Sequence, residues 1–265
     1  MNNYAEEMYK QVRPRSDLGR TAYLLIRHKM RQLSQKPPVL IGGCGRSGTT
    51  LLLSILGAFD SIYSIPHESR LYSRWEKAAD GRMLPQNWAR FIWYLLIYPV
   101  PETAQRYCEK TPKNILYIDY IMKYLGEETR FIQLIRDGRD VCTSRHPRDP
   151  EAYWVSVRRW VKDVKAGLPH RKHPSVYTLR YEDLVADTER YIRELADFLG
   201  ENLTERVLNW HESTNVRTSG AWHGGLEKSH TRSIRKWEKP EHAQRLKEFM
   251  ADGEAVELMQ ELGYL

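Results

Sequence analysis

VLIGGCGRSGTTLL, residues 39–52, decides the architecture. It opens as a short apolar run of buried-strand type and closes as the start of an apolar helical stretch, with glycines between that permit a tight turn. Gly43 and Gly48 enclose four residues, and Thr49 and Thr50 follow, giving the frame G-x-x-x-x-G-T-T. Backbone N–H groups curling around such a loop, aided by the positive end of the helix dipole, hold an anion of phosphate size. An enzyme of nucleoside triphosphates needs a lysine at position 49 to reach the β and γ phosphates. Thr49 cannot do that, and Arg46 inside the loop supplies the cation instead, as a planar fork suited to an oxyanion. A purely structural strand-to-helix turn would need neither Arg46 nor the paired threonines.

Outward from the loop, strand and helix patterns alternate. Residues 49–58 read as a helix, SIYSI (61–65) as a strand, NILYIDYIMKYLG (114–126) as a helix stopped by Gly126, and RFIQLIR (130–136) as a strand. A helix begins over 140–144, SVYTLRY (175–181) is a strand, and DTERYIRELADFLG (187–200) is a helix. This rhythm predicts an α/β, P-loop-like three-layer fold with a mainly parallel central sheet flanked by helices. Ligands of such sheets lie outside the carboxyl ends of the strands, so residues just after strands carry the most weight. Residues 37–265 read as one domain and residues 1–36 as a basic amphipathic helical arm packed on it. In the arm Ala22, Leu25, Ile26, Met30 and Leu33 share a face opposite Arg27, Lys29 and Arg31, and Pro37 and Pro38 end the helix. A membrane-surface or partner-binding helix is the other reading of that pattern.

The chain has 265 residues, 41% hydrophobic and 28% charged, enough for one substantial core. The net charge of +7 welcomes an anionic ligand, but residues 1–36 hold eight Lys or Arg against three acids. The remainder is close to balance, which argues against nucleic acid as the partner. Cys44, Cys108 and Cys142 show no disulfide framework and no zinc-type spacing, so the expectation is a reducing, cytoplasmic setting and no metal. The longest apolar run, FIWYLLIYPV at 91–100, is about half of what a membrane span needs.

A second signal is LIRDGRDVCTSR at 134–145: Arg136 closes a strand and Ser144 lies on the following helix, close enough to converge on one anion. Arginine with a hydroxyl suits a dianionic phosphate monoester, although RDGRD alone is also an ordinary charged turn. Together, GRSGTTLL and IRDGRDVCTSR resemble the two cofactor elements of the sulfotransferase family, and EKTPKN and RYEDLV resemble further segments in the expected order. The resemblance runs from about residue 38 to 238 and is closer to the tyrosylprotein and bacterial members. It implies a co-substrate, 3′-phosphoadenosine 5′-phosphosulfate (PAPS). Arg46, Ser47, Gly48, Thr49 and Thr50 would hold the 5′-phosphosulfate, and Arg136 and Ser144 the 3′-phosphate. Arg148 matches a further basic position, Tyr181 a residue contacting the adenine, and Lys236 a basic residue in a cofactor-covering loop over 215–238, with Arg235, Lys228 and Ser229 beside it. Tyr181 equally reads as an aromatic residue packed under a turn, and the loop as an ordinary surface loop.

The same resemblance makes Glu68, in IPHES after the second strand, the general base, and Lys110 a cation for the bridging oxygen. His67 is the rival base, since cytosolic members use histidine. Neighbours on extended backbone point opposite ways, so one of the two faces the donor. The implied reaction is sulfuryl transfer to a hydroxyl, or an amine, of a small-molecule, glycan or peptide acceptor, releasing adenosine 3′,5′-bisphosphate. An ATP-dependent phosphotransferase and a non-catalytic nucleotide-binding protein with an anionic partner are the alternatives. Tyr153, Trp154 and Trp160, with Val157, Val161 and Val164, read as one helical core face, as do Trp88, Phe91, Trp93 and Tyr94; an acceptor wall is the other use for either set. Cys44 reads as a small loop residue, or an alkylation-sensitive thiol beside Arg46.

Overall fold

The computed structural model describes residues 17–146, 149–214, 216 and 233–265. Nine strands are described: β1 (Val39–Gly43), β2 (Ile62–Ser64), β3 (Trp75–Lys77), β4 (Met83–Pro85), β5 (Arg106–Lys110), β6 (Arg130–Ile135), β7 (Arg145–His146), β8 (Asp149–Tyr153) and β9 (Val176–Arg180). Five of them form the central sheet in the order β2-β5-β1-β6-β9, with every pairing parallel. β3 with β4 and β7 with β8 are separate antiparallel hairpins.

Side-chain alternation splits the strands between two apolar layers. Val39, Ile41, Ile132 and Leu134 face a cluster with Leu52 and Ile55 of the helix Thr49–Leu56 and Leu195 of the helix Thr188–Leu199. Leu40 and Phe131 face the other way, toward Phe91, Ile121 and the arm residues Ile26, Met30 and Leu33. Helices therefore cover both faces of a parallel sheet, the three-layer arrangement expected. A third cluster joins Trp160 to Phe249 and Met259 of the C-terminal helices.

β1 pairs with β5 on one side and β6 on the other. The chain's excursions leave β1 in opposite directions there, which opens a crevice beyond its carboxyl end. The loop 44–48, the segment after β2, the end of β5 and the turn after β6 all border that crevice, so topology alone gathers the motifs.

Several local expectations changed, among them Trp93, which is exposed and not on a core face. Residues 112–117 form a 3-10 turn before the helix Ile118–Leu125, because Pro112 starts the helical run early; Gly126 then ends it at φ 103°. Tyr153 and Trp154 do not share the helix of Trp160: Ser156 caps that helix by accepting from Arg159 N, so it begins at Val157. In the arm helix Asp17–Gln32, Ile26 and Met30 are buried but Leu25 is exposed. Lys29 leaves the solvated face expected of it and donates to the carbonyls of Leu95 (2.5 Å) and Tyr98 (3.2 Å). A cation there satisfies the open carbonyls at the end of the helix Trp88–Ile97. Among the described residues no helix is long and apolar enough to cross a membrane.

Candidate active site

The loop after β1 is shaped by two left-handed residues, Arg46 at φ 72° and Gly48 at φ 93°. Any Cβ at Gly48 would lie 2.2 Å from the Tyr181 ring, so glycine is needed there for space as well as for backbone. Arg46 carries the strain of a non-glycine residue in that region. Its carbonyl is held by Arg136 Nη1 at 2.9 Å, which joins the two predicted anion elements directly. The helix Thr49–Leu56 has no side-chain cap, so its first backbone N–H groups stay available to a ligand.

Arg136 is buried, lies 4.4 Å over the Tyr181 ring and sits 3.6 Å from the Asp140 carboxylate. Its Nη2 also donates to the Ser233 carbonyl, and the Tyr181 hydroxyl contacts Ser233 Oγ. Burial and the adjacent Arg136 hold the Arg46 guanidinium below its ordinary range. Lys236 is pushed down by the same two causes. Among the described residues, Arg46 Nε, Ser47 Oγ and Arg136 Nε are buried with no hydrogen-bond partner. Crowded cations and unused donors around an open helix N-terminus are the inverse image of a polyanion.

Ser144 follows the short helix Gly138–Cys142 and donates its hydroxyl to the Asp140 carbonyl at 2.8 Å. Tyr181 is buried, with its ring against Gly48 of the loop. Arg148, Lys228 and Ser229 lie outside the described residues, as does most of 215–238. The described end of that loop is fixed by a contact no motif announced: Asp140 accepts from Arg235 N (2.9 Å) and Trp237 N (3.2 Å), flanking Lys236.

A cavity of about 880 Å³ opens beside the loop, lined by Gly45, Arg46, Thr49, Thr50, Glu68, Arg70, Asn87, Arg90, Lys110, Lys113, Trp154 and Arg159 among others. Glu68 Oε1 accepts from Lys110 Nζ at 3.0 Å within it. His67 turns outward: it is exposed, 2.8 Å from the Tyr98 hydroxyl and packed beside the Tyr94 ring. Of the two neighbours, Glu68 is the one that lines the cavity with Arg46 and pairs with Lys110. Among the described residues, six cationic side chains line the cavity against the single carboxylate of Glu68. Trp154, expected in a core, is 37% exposed and forms part of this wall. Arg70, Arg90 and Arg159 went unnoticed in the sequence because isolated arginines carry no spacing signal.

Cys44 is buried, and burial followed by the Asp163 carboxylate raises its thiol well above the ordinary range. Burial also raises Cys108, and it lifts Cys142 to about 12. Thiolate is the reactive form, so Ellman's reagent at pH 8 should titrate no rapidly reacting thiol in the native protein and all three after denaturation. A fast native thiol would restore the alkylation-sensitive reading of Cys44.

Residues 65–205, 141 of the 265, match the model described as the sulfotransferase family. The chain belongs to the sulfotransferase family. The matched span carries Glu68, Lys110, Arg136, Ser144 and Tyr181, whereas the loop 44–50 precedes it. Similar relatives of the sulfotransferase-family chain include the protein-tyrosine sulfotransferase of Drosophila melanogaster, 26% identical over 209 residues, covering 68% of this chain and 41% of the relative. Protein-tyrosine sulfotransferase 1 of Danio rerio is 24% identical over 219 residues, covering 73% and 61%. An uncharacterized protein of Aquifex aeolicus (strain VF5) is 25% identical over 252 residues, covering 83% and 33%. The chain thus spans about a third to three fifths of the length of these curated relatives. Among solved structures, the sulfotransferase domain from the curacin biosynthetic pathway aligns at TM-score 0.59 and 16% identity, covering 87% of this chain and 98% of that domain. The sulfotransferase domain of the Synechococcus PCC 7002 olefin synthase aligns at TM-score 0.54 and 19% identity, covering 83% and 98%. These two share the fold of the sulfotransferase-family chain.

Proposed function

We propose that the protein transfers the sulfuryl group of PAPS to an acceptor hydroxyl, or an amine, and releases adenosine 3′,5′-bisphosphate. The observation that carries this is the joined pair of candidate anion elements, with Arg46 Nε, Ser47 Oγ and Arg136 Nε buried and, among the described residues, unpartnered around the uncapped helix, beside the Glu68–Lys110 pair. These donors fit two separate phosphate-type groups, one at the loop and one beyond Arg136. Arg46, Ser47, Gly48, Thr49 and Thr50 hold the phosphosulfate; Arg136 and Ser144 hold the 3′-phosphate; Lys236 belongs to the segment that covers the nucleotide, and Tyr181 borders the adenine.

The nucleotide, when bound, supplies a sulfuryl group activated by its link to phosphate. Glu68 accepts the acceptor's proton on a carboxylate oxygen. Lys110, 3.0 Å away, loses its counter-charge as that carboxylate is neutralised, and its ammonium then serves the developing negative charge together with Arg46. The cationic lining selects an acceptor that itself carries negative charge, whether small molecule, glycan or peptide. Three free, buried cysteines support a reducing, cytoplasmic location.

Isothermal titration tests the reading. Adenosine 3′,5′-bisphosphate should bind at least about tenfold more tightly than ADP or 5′-AMP, because a 3′-phosphate gains charge-assisted hydrogen bonds that the others lack. Comparable binding of ADP would overturn the assignment of Arg136 and Ser144. Transfer of radiolabelled sulfate from PAPS to a panel of anionic acceptors then tests the chemistry.

A further inference from the structure

Glu109 is the penultimate residue of β5, next to Lys110, fully buried, and has no part in the chemistry above. Its Oε1 accepts from Ser69 Oγ at 2.7 Å and from Thr111 Oγ1 at 2.6 Å, and its Oε2 accepts from Asn114 Nδ2 at 2.7 Å. Each partner reaches further. Ser69 Oγ accepts from Leu71 N (3.1 Å), Thr111 Oγ1 accepts from Arg70 N (3.1 Å), and Asn114 Nδ2 also donates to the Ile41 carbonyl of β1 (3.1 Å).

An ionisable carboxyl in a dry interior is costly, and burial pushes the Glu109 carboxyl above its usual range while these hydrogen bonds oppose that shift. An apolar residue would avoid that cost but leave the buried Ser69 and Thr111 hydroxyls without this acceptor. What the carboxylate adds is position. Residues 66–70, which carry Glu68, have no regular secondary structure. Among the described contacts this segment is fastened to the sheet through Ser69 Oγ, Arg70 N and the Glu68–Lys110 pair itself, and the first two converge on Glu109 and Thr111. Glu109 thus links the irregular segment of Glu68, the strand end of Lys110 and, through Asn114, the strand that leads into the phosphate loop.

We infer that Glu109 is a positioning residue for the Glu68–Lys110 pair, acting through Ser69 and Thr111. This rests on the transfer reading above. Two variants probe it: Ser69→Ala removes one arm and leaves the carboxylate its other partners, and Glu109→Gln keeps the shape but loses a charge-assisted acceptor. Misplacement of a reacting group by about 1 Å costs on the order of 10²-fold, so Glu109→Gln should lower kcat about 10- to 100-fold and Ser69→Ala about tenfold. The KM for PAPS and the calorimetric affinity for adenosine 3′,5′-bisphosphate should stay within about twofold, since no residue of the anion elements is substituted and Asn114 keeps its bond to the Ile41 carbonyl. In a Glu68→Gln background neither substitution should lower kcat further, because residues acting as one unit are not additive. Thermal unfolding verifies the fold, and if Glu109→Gln does not fold, Ser69→Ala decides alone. Unchanged kcat in the folded variants, or full additivity with Glu68→Gln, overturns the positioning role while leaving the transfer reading intact. Absence of sulfate transfer by the wild-type protein overturns the transfer reading, and the inference with it.

Discussion

Glu68→Gln is expected to lower kcat by about 10²- to 10⁴-fold while the affinity for adenosine 3′,5′-bisphosphate stays within about twofold. Glutamine fills the same volume but cannot take a proton, so an intact nucleotide site with lost turnover isolates the proton transfer. The geometry makes the contrast with the neighbouring residue sharp. Glu68 meets Lys110 inside the cavity that also contains Arg46, whereas His67 is exposed and turned toward Tyr98. His67→Ala should therefore alter kcat by no more than about twofold, the scale of a surface substitution away from the chemistry. Steady-state kinetics on the two variants settles the pair: retained turnover in Glu68→Gln with loss in His67→Ala would move the base by one position.

Arg136→Ala should weaken adenosine 3′,5′-bisphosphate by about 10²-fold, and 5′-AMP, which lacks the 3′-phosphate, far less. Two charge-assisted hydrogen bonds from one guanidinium contribute about 3 kcal/mol or more to a phosphate. Arg136 also holds the Arg46 carbonyl at 2.9 Å, so the comparison of nucleotides is the informative readout. Equal losses for both would mean that Arg136 acts by shaping the loop and not by holding a 3′-phosphate. The same variant should show a pH signature in its unfolding. Burial raises the Asp140 carboxyl, with Arg136 the leading opposing influence. A carboxyl raised in the folded state favours folding below its unfolded pKa, and that advantage is lost as pH rises through its folded pKa. Removing Arg136 raises Asp140 further, so the stability lost relative to wild type should be smallest in acid and grow as pH rises through that range.

Much of the fold was legible because its signals are local. Apolar runs marked β1, β6 and β9, and Gly126 marked a helix end that it does close at φ 103°. The candidate anion elements stood out for a related reason. A loop that wraps an oxyanion is built from consecutive backbone N–H groups, so its glycines and Arg46 must be close in sequence. The cavity wall was not legible. Trp154 looked like a helical core residue because its spacing fits Trp160, but the Ser156 cap starts the helix beyond it and leaves the indole at the wall. Lys29 looked solvated because its partners, the carbonyls of Leu95 and Tyr98, lie on another helix.

By itself the sequence determined a glycine-rich strand–loop–helix, the expectation of two anion elements centred on Arg46 and, ninety residues on, Arg136, and an alternation that demands a parallel sheet. It also set Thr49 where a lysine would be, which a side chain's reach alone is enough to interpret. Only the tertiary structure decided that Glu68 and not His67 faces the loop, that Arg136 grips the backbone of Arg46, and that Glu109 ties both cavity walls together. Those outcomes depend on which strands lie side by side and which way a side chain leaves an irregular segment, and such long-range packing has no period in the chain from which it could be read.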